Sequence, residues 1–377
     1  MKSDVADVQL QERRKLSYGE GALLAVVLVI ATKFCTLPSV LAGAAGSKAL
    51  WVAATLTAAE LCAVFFAVKT ARAGGVPSLP LPRGVKVGVY AFFALFFTLK
   101  LAAFARELST YYALSLFENV PVLPVMVLLL FACALLARKG YTAMGRMMEV
   151  FAWLFAFVFL FAIIFTRTEG DLFNALGMFS PDFSGFGKGL LGGLAWYGDA
   201  AAISFFDLRG KEGVTDPSAN EKTKFKIAFA AASFSFLMIA LFFAVFTASY
   251  GDAAKMTDYA FIKLSAFKAN TDELGSADWP VIILWSVVTT LYLTVVLISA
   301  KESLLGATQK EGSKSLLPYF VLGGAALLFS AVFLDEEGDY QSYMTRVASV
   351  LSLLAIGATA GLGIYSLAKG ANSEKQN

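Results

Sequence analysis

Apolar residues along this chain gather in long unbroken runs separated by short polar connectors, and do not alternate as they would on a half-buried strand. Ten runs, roughly 20–43, 49–68, 86–112, 121–137, 148–166, 188–206, 226–248, 279–299, 316–334 and 344–367, predict ten membrane-spanning helices. Most approach the ~20 apolar residues that a ~30 Å hydrocarbon layer demands, and the fourth, at about seventeen, sits at the lower limit. The connectors leave no room for a second soluble domain, so 1–377 reads as a single transmembrane domain. The longest, 249–278, has space for one short helix around Asp258–Phe267 before a break at Trp279-Pro280. Gly74–Gly84, with Pro77, Pro80 and Pro82, reads as a stiff linker.

Two runs are interrupted. In Leu23–Leu41, Lys33 lies inside the apolar stretch and Pro38 follows it. Proline removes a backbone donor and clashes with the preceding turn, which favours a break there. The sixth run carries Gly189, Gly192, Gly193 and Gly198 immediately before Asp199. Ten spans divide into two halves of five, about 16–166 and 188–367, which must run in opposite directions through the membrane. The predicted fold is therefore an all-α integral membrane bundle, a five-plus-five inverted repeat with interrupted helices 1 and 6. Interrupted helices at corresponding positions of two halves point to a mid-membrane ligand site. Close packing through glycine is the competing explanation for the sixth run.

Charges inside the spans are few and agree in depth. Lys33 and Lys100 each lie fourteen residues from the N-terminal side of the bundle, while Glu60 and Asp199 each lie eleven from the opposite side. Groups of opposite sign at one depth can neutralise each other, as intramembrane charges must. Lys100, Phe104, Glu107 and Tyr111 follow i, i+4, i+7 and i+11 and share one helix face. The expected pocket is lined by 31–37 (Ala31, Lys33, Phe34, Thr36), by Trp196, Tyr197 and Asp199, by Lys100 and Phe104, and by Trp285 and Thr289. Glu60, Asp199 and Glu107 are candidates for a charge network or proton coupling, with Asp199 the expected counter-charge of Lys33. A purely structural network is the alternative. Hydroxyls of the eighth span (Ser286, Thr289, Thr290, Thr294) suit ligand contacts, or bond their own helix backbone.

Composition narrows the chemistry. Hydrophobic residues make up 58% and charged residues 16%, which places the chain in a lipid bilayer. It contains no histidine, which removes histidine metal sites, histidine relays and Ser/His or Cys/His nucleophile pairs, and no metal or cofactor is expected. No phosphate-loop motif and no nucleic-acid-binding pattern is present, so no enzyme is read here. Cys35, Cys62 and Cys133 read as small buried hydrophobes. The polar start, MKSDVADVQLQERRK, reads as no signal peptide. Connectors on the N-terminal side hold twenty-one lysines and arginines against seven opposite, which predicts both termini in the cytoplasm.

Three stretches carry a family resemblance. Leu37-Pro38, then Ala45-Gly46, then Trp51, is similar to the opening of the spore-germination permeases. These are the B subunits of nutrient germinant receptors, within the amino acid–polyamine–organocation superfamily. RKGYTAMGRMMEVF, through Arg138, Gly140, Gly145, Arg146 and Glu149, resembles that family's connection between spans four and five. ELSTYYALSLFENVPVLPV, with Pro121 and Pro124, resembles its third span, turn and fourth span. The resemblance implies unwound first and sixth helices and a receptor subunit in the spore inner membrane that recognises a small polar nutrient, often an amino acid, together with A-type and C-type partner subunits. Ala31 and Lys33 stand where that family has glycines, and Lys33 supplies a built-in cation. A proton-coupled amino-acid transporter of the cell membrane, and a structural subunit closed by a Lys33–Asp199 pair, are the alternatives.

Overall fold

A computed structural model describes residues 16–115, 120–165, 177–179, 183–208, 217–266, 279–309 and 315–374. Residues 1–15, 116–119 and 267–278, the last within the longest connector, lie outside the described residues.

The described residues are helical, with no strand among them. The first run is split into α1 (Tyr18–Ile30) and α2 (Leu37–Ala45). Then follow α3 (Ala49–Arg72), α4 (Arg83–Ser115), α5 (Val122–Ala137) and α6 (Tyr141–Phe165). The sixth run is α7 (Phe186–Gly193), a 3-10 turn over Leu194–Trp196, a break, and a second 3-10 segment over Asp199–Phe205. The remainder comprises α8 (Pro217–Tyr250), the short α9 (Ala260–Ala266), α10 (Trp279–Thr308), α11 (Leu317–Phe333), α12 (Glu337–Ser342) and, after a π-turn at Tyr343–Ala348, α13 (Ser349–Glu374). Every predicted span falls on one of these elements, and the all-α membrane architecture with interrupted first and sixth spans is the one observed. Among the described residues, five helical stretches are each long and apolar enough to cross a bilayer by themselves, while α5 and the first part of α6 turn through 108° at a short break.

The bundle turns large apolar side chains outward: Trp153 is 83% exposed, and Leu128, Phe157 and Leu237 are exposed with it. In water such a surface would aggregate; in a bilayer it faces solvent of its own kind. Cys62 is exposed, which corrects its reading as a buried hydrophobe, whereas Cys35 and Cys133 are buried. α10 lies along α4 in the interior, α13 lies against α3, and α8 packs on α1 and α3.

The bundle end that carries the start of α1 is closed. Leu16 N–H donates to Asp207 O at 2.9 Å and Leu208 N–H to Ala71 O at 3.1 Å, tying the chain start and the end of the sixth run to the C-terminal turn of α3. Ser17 and Glu20 form a reciprocal capping box that starts α1. Arg146 Nε stands 3.7 Å from Glu20 Oε1 across this end.

Candidate functional site

The first break spans Ala31–Thr36. Pro38 has no N–H for Phe34 O, the carbonyl four residues earlier, so that carbonyl needs another donor. It accepts from Phe261 N–H at 3.0 Å, and Cys35 O accepts from Ala260 N–H at 3.0 Å. The start of α9, the short helix expected around Asp258–Phe267, thus satisfies the opened turn in place of water.

The second break lies at Tyr197-Gly198. Tyr197 is extended and Gly198 is left-handed at φ +90°, a conformation that glycine adopts without penalty. Gly189 and Gly193 do not open the helix. A Cβ at Gly189 would stand 2.9 Å from the Ala45 side chain, and one at Gly193 2.7 Å from Leu41, so these two serve close packing of α7 on the first two spans.

Between the two breaks the four intramembrane charges meet. Lys33 Nζ lies 3.1 Å from Glu60 Oε2 and 3.4 Å from Asp199 Oδ2. Lys100 Nζ lies 3.0 Å from Asp199 Oδ1 and donates to Ala195 O at 2.8 Å and Tyr197 O at 2.9 Å. Glu60 Oε1 accepts from the Asp199 backbone N–H at 3.1 Å. Thr32 Oγ1 bridges Lys33 and Trp196 O, accepting at 3.3 Å and donating at 3.2 Å. Tyr292 OH donates to Asp199 Oδ1 at 3.0 Å. Aromatic faces complete the enclosure: Lys33 Nζ sits 4.6 Å from the Tyr197 ring centre and Lys100 Nζ 4.8 Å from that of Phe104. None of the four charged side chains is more than 4% exposed.

Two ammoniums and two carboxylates sum to zero, the condition under which buried charge is tolerable. The nearer partner of Lys33 is Glu60, and Asp199 is shared between Lys33 and Lys100. Asp199, the expected counter-charge of Lys33, is thus one of its two partners, with Glu60 the nearer. The carbonyls opened at the second break are satisfied by Lys100, so the break and the charge stabilise one another.

The remaining expected pocket residues separate into other groups. Phe34 packs against Phe159, Phe242, Phe261 and Trp285 at centroid distances of 4.5–5.9 Å, forming an aromatic cluster. Ala31 is buried beside it in the core. Thr289 shares a hydrogen bond with Tyr112 OH at 3.0 Å and bonds its own helix backbone at Trp285 O. Ser286 and Thr294 also bond the carbonyl four residues back, the alternative foreseen for the hydroxyls of this span.

The open space lies elsewhere. A cavity of about 780 Å³ opens on the side of the charge cluster away from the closed end, lined by Thr36, Arg106, Glu107, Thr110, Asp258, Lys263, Asp335 and Tyr340 among others. Of the expected pocket residues only Thr36 reaches it. A second space of about 660 Å³, lined by Ser39, Gly43, Lys188, Lys255 and Gln341, shares Asp258 and Gln341 with the first. At the floor of the first, Glu107 accepts from Thr36 N–H at 3.0 Å, from the Thr36 hydroxyl, and from Tyr340 OH at 2.9 Å. Tyr292 and Tyr340 carry no charge that a search for intramembrane ions would find. Tyr292 nonetheless stands seven residues after Trp285 on the same helix face, a spacing that places it toward the bundle interior.

No known protein family and no curated protein matches the chain. Solved structures do. The manganese transporter of Eremococcus coleocola, in complex with an aromatic bis-isothiourea substituted compound, superimposes with a TM-score of 0.58 at 16% identity, covering 93% of this chain and 86% of that one. A glutamate-to-alanine mutant of the same transporter gives a TM-score of 0.59 at 14% identity, again over 93% and 86%. The chain therefore has the fold of a membrane transporter, and at such identities the likeness extends to the fold alone.

Proposed function

We propose that this protein is a permease-fold subunit that recognises a small polar nutrient, most simply an amino acid, from outside a membrane, and that it serves as the B-type subunit of a spore germinant receptor beside A-type and C-type partners. The observation that carries the reading is the neutral Lys33–Glu60–Lys100–Asp199 cluster in the gap between the two helix breaks. A carrier needs that gap free for its cargo. Here the gap is filled by the chain's own side chains, which suits a protein that responds to a ligand more than one that passes it through. The resemblance at Leu37-Pro38, Trp51 and Arg138–Glu149 supplies the germination context. The excess of lysine and arginine in the connectors on the N-terminal side supports cytoplasmic termini and hence an outward-facing vestibule.

Manganese, the cargo named for the similar transporter, is disfavoured as a ligand at this cluster. Both carboxylates already hold ammonium partners, and the described residues contain no group of three His, Cys, Asp or Glu suited to a metal. The second reading, proton-coupled amino-acid transport, is favoured by the presence of Glu60 between a lysine and a backbone N–H that Asp199 supplies. Reconstitution in liposomes tests both. The receptor reading expects labelled amino acids to bind without accumulating inside, with or without a pH gradient. Accumulation driven by an inward proton gradient would replace it with the transporter reading.

A further inference from the structure

Every intramembrane carboxylate of the cluster has an ammonium within 3.4 Å, but Glu107 does not. It is 3% exposed, and its described contacts are neutral donors: the backbone and hydroxyl of Thr36 and the phenol of Tyr340. The indole Nε1 of Trp196, buried beside the sixth-span break, approaches the same carboxylate without a hydrogen bond of ordinary geometry. Arg106, its chain neighbour, is turned away, donating to Asp335 O at 2.6 Å and lying 3.4 Å from Asp335 Oδ1. A buried carboxylate held in place by neutral donors, with no cation paired to it among the described residues, lines a cavity of about 780 Å³. That cavity is wide enough for a small organic molecule.

Resting on the nutrient-recognition reading, we propose that Glu107 is the anchor of a binding site in this vestibule for the primary ammonium group of the ligand. The ammonium has three N–H donors, and the carboxylate, with two of its lone-pair sites engaged on one oxygen and one on the other, keeps acceptor capacity for it. The site lies between Thr36, which ends the first break, and Tyr340, which precedes the tenth span. An arriving cation would thus touch two elements that move if the breaks rearrange. The carboxylate end of an amino acid is left to the vestibule rim, where Lys263 is exposed. Binding therefore requires the ammonium and does not require the carboxylate.

The test uses the full chain purified in detergent and four probes: L-alanine, then L-alaninamide and butylammonium, which carry the ammonium without a carboxylate, and butyrate, which carries the reverse. Calorimetric titration should show alaninamide and butylammonium binding and butyrate not. Glu107→Gln should weaken both amines at least tenfold. Since that change also alters the bonds to Thr36 and Tyr340, Thr110→Arg provides a second arm. It places a fixed guanidinium in the same cavity while leaving every bond on Glu107 intact, and should abolish amine binding at the parent's melting temperature. Butyrate binding as well as the amines, amine binding unchanged in either variant, or no amine binding at millimolar concentrations would each overturn the proposal. If L-alanine still binds the parent while the amines do not, the anchor at Glu107 falls and the nutrient-recognition reading stands.

Discussion

Asp199, on the interrupted sixth span, holds the Lys100 ammonium of the third span at 3.0 Å while its other oxygen faces Lys33 at 3.4 Å. The second break, three spans and both charge signs are thereby joined at one carboxylate. Lys100→Met removes the donor to Ala195 O and Tyr197 O as well as the charge, and leaves a buried anion short of a partner. The expected cost is about 3–5 kcal/mol. Tyr292→Phe deletes one hydrogen bond to the same carboxylate and should cost only about 1.5–3 kcal/mol. Thermal unfolding of the purified proteins checks the order: both variants melt below the parent, Lys100→Met by the larger margin. Equal melting temperatures would mean that Asp199 does not organise the cluster.

Gly198→Ala probes the second break by backbone geometry alone. The residue sits at φ +90°, and a Cβ there would stand 3.1 Å from Ser352 O on α13. A non-glycine residue in this region carries a penalty of about 1–3 kcal/mol. The variant should lose membrane abundance, whereas Gly187→Ala, where a Cβ meets nothing within 4 Å, should not.

Much of this arrangement was legible from residue order because a bilayer forbids unpaired charge. Lys33, Glu60, Lys100 and Asp199 could be matched by depth, and they meet. Their pairing could not be read, since depth gives height along the membrane normal and no azimuth around the bundle, so Glu60 displaced Asp199 as the nearest partner of Lys33. The glycines of the sixth span look alike in sequence, but only Gly198 opens the chain, Gly189 and Gly193 admit neighbouring helices, and a Cβ at Gly192 would meet nothing within 4 Å. The vestibule was missed because part of its wall comes from connectors. Residues 256–263 and 334–341 lie outside the spans, where depth cannot place them, and their meeting beside Glu107 is a product of tertiary packing.

Residues 16–166 and 188–367 should superimpose by rotation about an axis in the membrane plane, bringing the break at Ala31–Thr36 onto that at Tyr197-Gly198. Superposition of the two halves checks this. Breaks that fall on non-equivalent helices would contradict the inverted repeat.

Both termini should lie in the cytoplasm. Epitope tags at either end should resist protease added outside intact cells and be cleaved after permeabilisation. A tag cleaved in intact cells would reverse the orientation and turn the vestibule inward.

The central claim is that the charge cluster between the two breaks, Lys33 included, belongs to the response and not merely to the scaffold. Its most direct test compares Lys33→Met, Glu60→Gln and the double variant for membrane abundance and for nutrient-triggered response. Each single change strands a buried charge and should lower abundance. The double change leaves Lys100 paired with Asp199 and should recover abundance, because neither partner of the 3.1 Å pair remains alone. Response should stay lost in the double variant despite that recovery. Lys33→Met at the parent's abundance with the parent's response would contradict the account.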